Sequence, residues 1–137
     1  MEDSIAAHVR GIFEKANFLK HLGIQLTGIG SDTCETNLNI DDRHLQQHGF
    51  VHAGVIATLA DHTAGGAARA ASGERDVITI EFKINFLRPA SARRLVCSAK
   101  VLRAGKSLIV AEAEVFAIND GEPKLIAKLT ETLAILD

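Results

Sequence analysis

The order of elements along the chain predicts an α+β fold with a mostly antiparallel sheet. Three observations support this. Residues 53–71 are almost all small or apolar and read as one long central helix. Six shorter runs of strand type lie outside it, two before and four after. The strands within each group are separated by turn-rich stretches such as GSD, AGK and NDGEP and not by helices, so helices and strands are segregated as in an α+β chain. The length of 137 residues suits a single domain spanning 1–137, with an N-terminal helix at about 4–20 and a core at about 22–136. No repeat, low-complexity segment or linker interrupts it.

Each element has its own signal. In 4–20, Ile5, Val9, Ile12, Phe13 and Ala16 recur at helical spacing, with Ser4 as the expected N-cap and Gly23 as the stop. Residues 24–30 and 33–40 are two strands; Leu38 and Ile40 alternate with polar neighbours. Residues 41–51 are polar and irregular, hence a loop. The central helix carries Gly65 and Gly66, each costing about 1 kcal/mol relative to Ala. Either a packed neighbour or a ligand must need that close approach. In 77–87, Ile78, Ile80, Phe82, Ile84 and Phe86 share one face of a strand by strict alternation, with Thr79, Glu81, Lys83 and Asn85 on the other. The run ends at Arg88-Pro89, where proline breaks the ladder. Residues 94–103, 107–118 and 124–136 complete the set.

Composition excludes several functions. Apolar residues make up 47% of the chain, a globular composition. Trp and Tyr are absent, aromatic content is 4% and net charge is −2, which argues against nucleic-acid binding. No run of about 18 apolar residues could span a bilayer, and no basic-then-apolar leader is visible, so a cytoplasmic protein is expected. Cys34 and Cys97 have no metal-ligand spacing and read as reduced core thiols.

Asp61 is the sharpest anomaly. It interrupts an apolar helix, and positions three and four away hold Ala57, Thr58, Ala64 and Gly65, so no local cation pairs with it. An acid there is exposed in a cleft, paired across an interface, or kept for chemistry. At the helix start, the amides around Ala53 and Gly54 carry the positive end of the dipole and can polarise an oxygen. They lie roughly 11–12 Å from Asp61 along the axis, at 1.5 Å per residue. His44, His48, His52 and His62 lack an HExxH pattern, so no metal site is expected, and His52 reads as orienting the helix start. There is no G-x-S-x-G elbow, P-loop or dinucleotide fingerprint. Arg88, Arg93, Arg94, Arg103 and Lys106 cluster around the ends of the later strands, as solvated ends or as a grip on a phosphorylated carrier.

HAGVIATLAD, TIEFKINFLRPA and VLRAGKSL together resemble the hotdog-fold acyl-CoA thioesterases of the PaaI type. That family opens its helix with His-Gly-Gly and places an acid nine residues after the His, the spacing of His52 and Asp61 here. Arg88-Pro89-Ala90 and Gly105-Lys106 match its turns. The resemblance covers roughly residues 22–136. It implies a long helix wrapped by a five- to six-stranded sheet, and a homodimer or homotetramer with active sites between subunits. It implies Asp61 as nucleophile or general base, and the Ala53 amide as the group that polarises the thioester carbonyl. Ala53 replaces a family glycine, but its amide still donates. Gln46 occupies a position where relatives often carry Asn, and Thr79 matches a hydroxyl position on the partner side. With His52, these form the implied catalytic set. Gly54, Arg88, Arg103 and Lys106 are the implied substrate contacts. No cofactor, metal, nucleic acid or membrane is implied, since CoA belongs to the substrate. An acyl-CoA-binding module without turnover is the rival reading; a hotdog hydratase would need a His acid/base pairing that the sequence does not clearly show.

Overall fold

The structure is a computed structural model that describes residues 3–73 and 75–136. Helix α1 spans Asp3–Lys15 and α2 Asn17–Leu22, followed by strands β1 (Gln25–Ile29) and β2 (Thr33–Asn39). Helix α3 spans Ala53–Ala71. Strands β3 (Val77–Phe86), β4 (Arg94–Ala104), β5 (Leu108–Ile118) and β6 (Lys124–Ile135) follow. The six strands form one sheet in the order β1-β2-β4-β5-β6-β3, every neighbouring pair antiparallel. Helix α3 touches all six strands.

The predicted N-terminal helix is two helices. The chain breaks at Ala16, whose backbone is extended (φ −80°, ψ 93°), and Ser4 lies inside α1 rather than capping it. Side-chain direction explains the break. In one continuous helix Phe13 and Leu22 would sit about half a turn apart around the axis and face opposite ways. The break lets Phe13, Leu19 and Leu22 all enter the core. Gly23, at φ 87°, ends α2 with its N–H on the carbonyls of Leu19 and Lys20, the left-handed stop expected there. The loop before α3 holds a short 3-10 turn at Asp42–His44 and a bridge between Leu45 and Val51.

Small residues let α3 lie close to the sheet. The strands present Ala99, Ala111, Ala113 and Ala127 as buried positions, and α3 answers with Ala60, Ala64, Gly66, Ala67 and Ala68. The two glycines of α3 serve different purposes. A Cβ on Gly66 would lie 2.6 Å from Cys34 Sγ and 3.2 Å from Phe13, so Gly66 is there for packing. A Cβ on Gly65 would meet only the mobile end of Arg69, at 3.5 Å. Cys34 and Cys97 are buried thiols, both pushed up to about 12, chiefly by burial.

Strand β3 departs from strict alternation. The register with β6 slips between Thr79 and Glu81, leaving Ile80 as an extra residue. Thr79 pairs with Leu133, while Phe82, Ile84 and Phe86 pair with Glu131, Leu129 and Ala127. Thr79 therefore shares the helix-facing side with Phe82, Ile84 and Phe86, and Ile78 does not. β3 is also a sheet edge, and Ile78, Ile80, Phe82, Phe86 and Leu87 on and just after it remain largely exposed.

Gly66→Ala is expected to destabilise the fold by about 1–3 kcal/mol through overpacking against Cys34, despite better helix propensity. Gly65→Ala should be neutral or gain up to about 1 kcal/mol. Urea midpoints of the two variants check this pair.

Candidate active site

Helix α3 carries Asp61 to the sheet face where β3 and β6 lie side by side. The Thr79 hydroxyl donates to Asp61 Oδ1 at 2.9 Å. The same Thr79 oxygen lies 3.5 Å from Glu131 Oε2, on β6. Thr79 was expected on the partner side of the site; here it holds the Asp61 of its own chain. Asp61, His62, Gly65, Arg69, Val77, Ile78, Thr79 and Leu133 line an open cleft of about 240 Å³. Gly65 thus leaves room beside the acid.

Sequence reasoning missed two ionisable neighbours. Glu131 is 1% exposed. Its carboxyl is pushed up to about 10 by burial first, then by the adjoining Asp61 carboxyl, against a lowering by Thr79. The signal was present in the strand: Ala127, Leu129, Glu131 and Leu133 fall on one face at period two, and only Glu131 is charged. Arg69, two turns beyond Asp61, lies outside the three- and four-residue positions searched for a partner. Its guanidinium is lowered by burial and raised by Asp76 and Asp61, and it donates to the Val77 carbonyl at 3.2 Å.

The start of α3 forms a second cleft, about 460 Å³, lined by Gln46, Phe50, His52, Ala53, Phe86 and Arg88 among others. His52 caps the helix: its Nδ1 accepts the Gly54 N–H at 2.8 Å. The Gly54 amide, expected to bind substrate, is thereby occupied. Val55 and Ile56 donate to the His52 carbonyl. The Ala53 amide has no acceptor among the described residues. Gln46 Oε1 accepts from the backbone of His48 and Phe50, which holds the loop and leaves its NH2 group for the cleft. Asp61 and the Ala53 amide line separate clefts of one chain.

A family model described as Thioesterase superfamily matches residues 48–124, from the loop before α3 to the start of β6. The chain belongs to the thioesterase superfamily. A solved thioesterase family protein from Silicibacter pomeroyi is 38% identical, with a TM-score of 0.94 over 96% of this chain and 98% of its own. The 1,4-dihydroxy-2-naphthoyl-CoA hydrolase of Escherichia coli K12 is 30% identical over 123 residues, 89% of this chain and 88% of that protein. The E. coli PaaI protein shares the fold at 22% identity, with a TM-score of 0.88 over 97% of this chain and 94% of its own. The α3-in-sheet architecture is accordingly the hotdog fold.

Two further histidines of this thioesterase-superfamily chain have defined surroundings. His44 is buried; its Nδ1 accepts the Asp41 N–H at 3.0 Å, so Nε2 donates to the Leu22 carbonyl at 2.7 Å. His62 meets Phe13 edge-on at 4.7 Å and is lowered to about 4, by burial first, then Arg69, against a raising by Asp61. It is neutral at pH 7 and half-buried on the wall of the Asp61 cleft. Among the described residues, no three His, Cys, Asp or Glu side chains gather as a metal site would require, and no helix is long and apolar enough to cross a membrane. The basic residues named for the substrate lie at opposite ends of the later strands. Arg88 lies at the Ala53 cleft, where it donates to the Leu125 carbonyl at 2.6 Å, near the start of β4. Arg103 and Lys106 lie at and just beyond the other end of β4. An eleven-residue strand separates these ends by roughly 30–35 Å at about 3.3 Å per residue.

His52→Ala should weaken the start of α3 by about 1 kcal/mol, in the range for a lost helix cap. The denaturation midpoint of the variant checks the cost, and slowed exchange of the Gly54 amide in the unaltered protein checks the bond.

Proposed function

We propose that this chain hydrolyses acyl-CoA thioesters to a carboxylic acid and CoA, at sites that two copies complete together. The observation that carries the reading is the split between the two clefts. Asp61, held by Thr79, lies two helical turns from the free Ala53 amide, too far to act on one carbonyl of a small thioester. The bare β3 edge supports the pairing. Unpaired strand groups flanked by exposed Ile78, Ile80 and Phe82 are a surface that a second β3 would cover. An antiparallel second β3 would lay the Phe86 end of one chain beside the Thr79 end of the other. The Asp61 of one copy would then approach the Ala53 of its partner.

The chemistry follows from these groups. As general base, Asp61 takes a proton from water while the oxygen attacks the thioester carbonyl carbon. As nucleophile, its carboxylate attacks that carbon itself, and water then hydrolyses the acyl-enzyme. In both cases the Ala53 N–H and the dipole of α3 meet the negative charge that grows on the carbonyl oxygen. The C–S bond breaks, and CoA leaves as the thiolate and takes up a proton. Gln46 offers its NH2 group beside the same oxygen, and His52 keeps the helix start in shape by holding Gly54. Arg88 at one end of the sheet and Arg103 with Lys106 at the other are the cations available for CoA phosphates, and the same antiparallel pairing would set one copy's Arg88 on the side of its partner's other end.

Asp61→Asn should lower kcat for thiol release from acyl-CoA about 10²–10⁴-fold, the usual contribution of a positioned base. Ala53→Pro is the matched test of the amide. Proline is tolerated at the first helical position, and His52 already has the extended backbone (φ −61°, ψ 137°) that a following proline requires. The fold should survive while kcat falls about 10²–10³-fold, as for loss of one oxyanion donor. Full turnover in Asp61→Asn, or in a folded Ala53→Pro, would contradict the mechanism. Saturable binding of acyl-CoA without thiol release from the unaltered protein would make it a binding module.

A further inference from the structure

Behind Asp61 stands a second carboxyl group that hydrolysis as proposed does not use. Glu131 is buried between α3 and the sheet, while Asp61 lines an open cleft. Thr79 lies within reach of both, 2.9 Å from Asp61 Oδ1 and 3.5 Å from Glu131 Oε2. A hydroxyl has one proton, and the shorter contact takes it to Asp61. The Thr79–Glu131 contact then has a proton only if Glu131 supplies it. Glu131 Oε1 is buried, and among the described residues no N–H or O–H donor reaches it. Ionised, Glu131 would bury a charge with no donor on either oxygen; protonated on Oε2, it buries a neutral group that donates to the Thr79 oxygen.

We propose that Glu131 is a positioning residue: as a neutral carboxylic acid it donates to the Asp61–Thr79 pair and fixes the Asp61 carboxylate in its cleft. Two adjoining carboxyls cannot both hold a full charge without repulsion, and the more deeply buried one keeps the proton. The surroundings agree. On α3 the facing ionisable group is Asp61, itself flanked by His62, which is neutral at pH 7, and by Arg69, whose guanidinium acts on Asp61. On β3 the neighbours are Thr79 and the register partner Phe82. On β5 the register partner is Ala111. Among the described residues no cation acts on Glu131; burial and Asp61 together push it up to about 10. The consequence is a relay of neutral donors: Glu131 holds the Thr79 oxygen, and Thr79 holds Asp61. A cation in place of Glu131 would neutralise the Asp61 charge.

This role rests on Asp61 being the reacting carboxylate, and the test separates the two ideas. Glu131→Gln preserves a neutral donor of the same shape and should keep kcat within a few-fold. Glu131→Leu removes the donor and should cost tenfold or more in kcat with KM little changed. A second readout does not depend on turnover. The raised folded value means the unfolded chain releases the proton near 4.5 while the folded chain holds it up to about 10. Stability linked to Glu131 is therefore full below 4.5 and falls with rising pH across that window. Glu131→Gln should flatten this fall in the thermal midpoint. In difference infrared spectra at neutral pH, the unaltered protein should show the C=O stretch of a protonated carboxylic acid that Glu131→Gln lacks. Absence of that band, or a Gln variant as impaired as the Leu variant, would overturn the assignment. Full turnover in Asp61→Asn with the band present would instead overturn the reading of Asp61 and leave Glu131 protonated.

Discussion

The close approach of α3 to the sheet is the constraint on which the rest of the structure depends. Alanines on β4, β5 and β6 and the Ala/Gly run of α3 bring backbone to backbone, and Gly66 has no room for even a methyl group against Cys34. Short side chains can then bridge the layers. Thr36 on β2 and Thr63 on α3 meet hydroxyl to hydroxyl at 2.7 Å, and Thr79 reaches Asp61 at 2.9 Å. A helix of leucines would stand farther from the sheet, and a threonine could not reach across. The site is thus a product of packing before it is a product of charge.

The charges are then arranged with little redundancy. His62 is kept neutral by burial, and Glu131 is raised by the same cause, so two of the ionisable groups around Asp61 carry no charge at pH 7. Arg69 is the cation acting on Asp61, and it is shared with Asp76 at 3.9 Å. Asp61 sits in a setting that offers the Thr79 hydrogen bond on one side and an open cleft on the other. At the opposite end of α3 the economy is similar: His52 occupies the Gly54 amide and leaves Ala53 facing the cleft.

Much of this was legible in the chain. The bounds of α3 follow from composition alone, because a helix apolar all round can only be buried. Asp61 stands out against that background without any structure. Strand positions followed from turn residues and alternation. What stayed hidden has physical reasons. The break at Ala16 carries no Gly or Pro; it arises from where Phe13 and Leu22 must point. The bulge at Ile80 is set by pairing with β6, and a β-branched residue gives no local sign of it. Strict alternation therefore put Thr79 on the face away from Phe82, Ile84 and Phe86, where the bulge does not leave it. Glu131 was visible as a lone acid on an apolar face, but its importance depends on which strand β6 neighbours, and strand order is not written locally. Gly54 was misjudged because a histidine cap consumes an amide that composition shows as free.

The bare β3 edge has a thermodynamic consequence. Folding of the core involves contacts within one chain, whereas completion of a site, on the proposed reading, involves two. The two processes therefore obey different laws of mass action: the first is independent of protein concentration and the second is not. Diluting the protein below the dissociation constant of the pair would silence it without unfolding it, and the cell's supply of chain, as much as its supply of thioester, would set the rate.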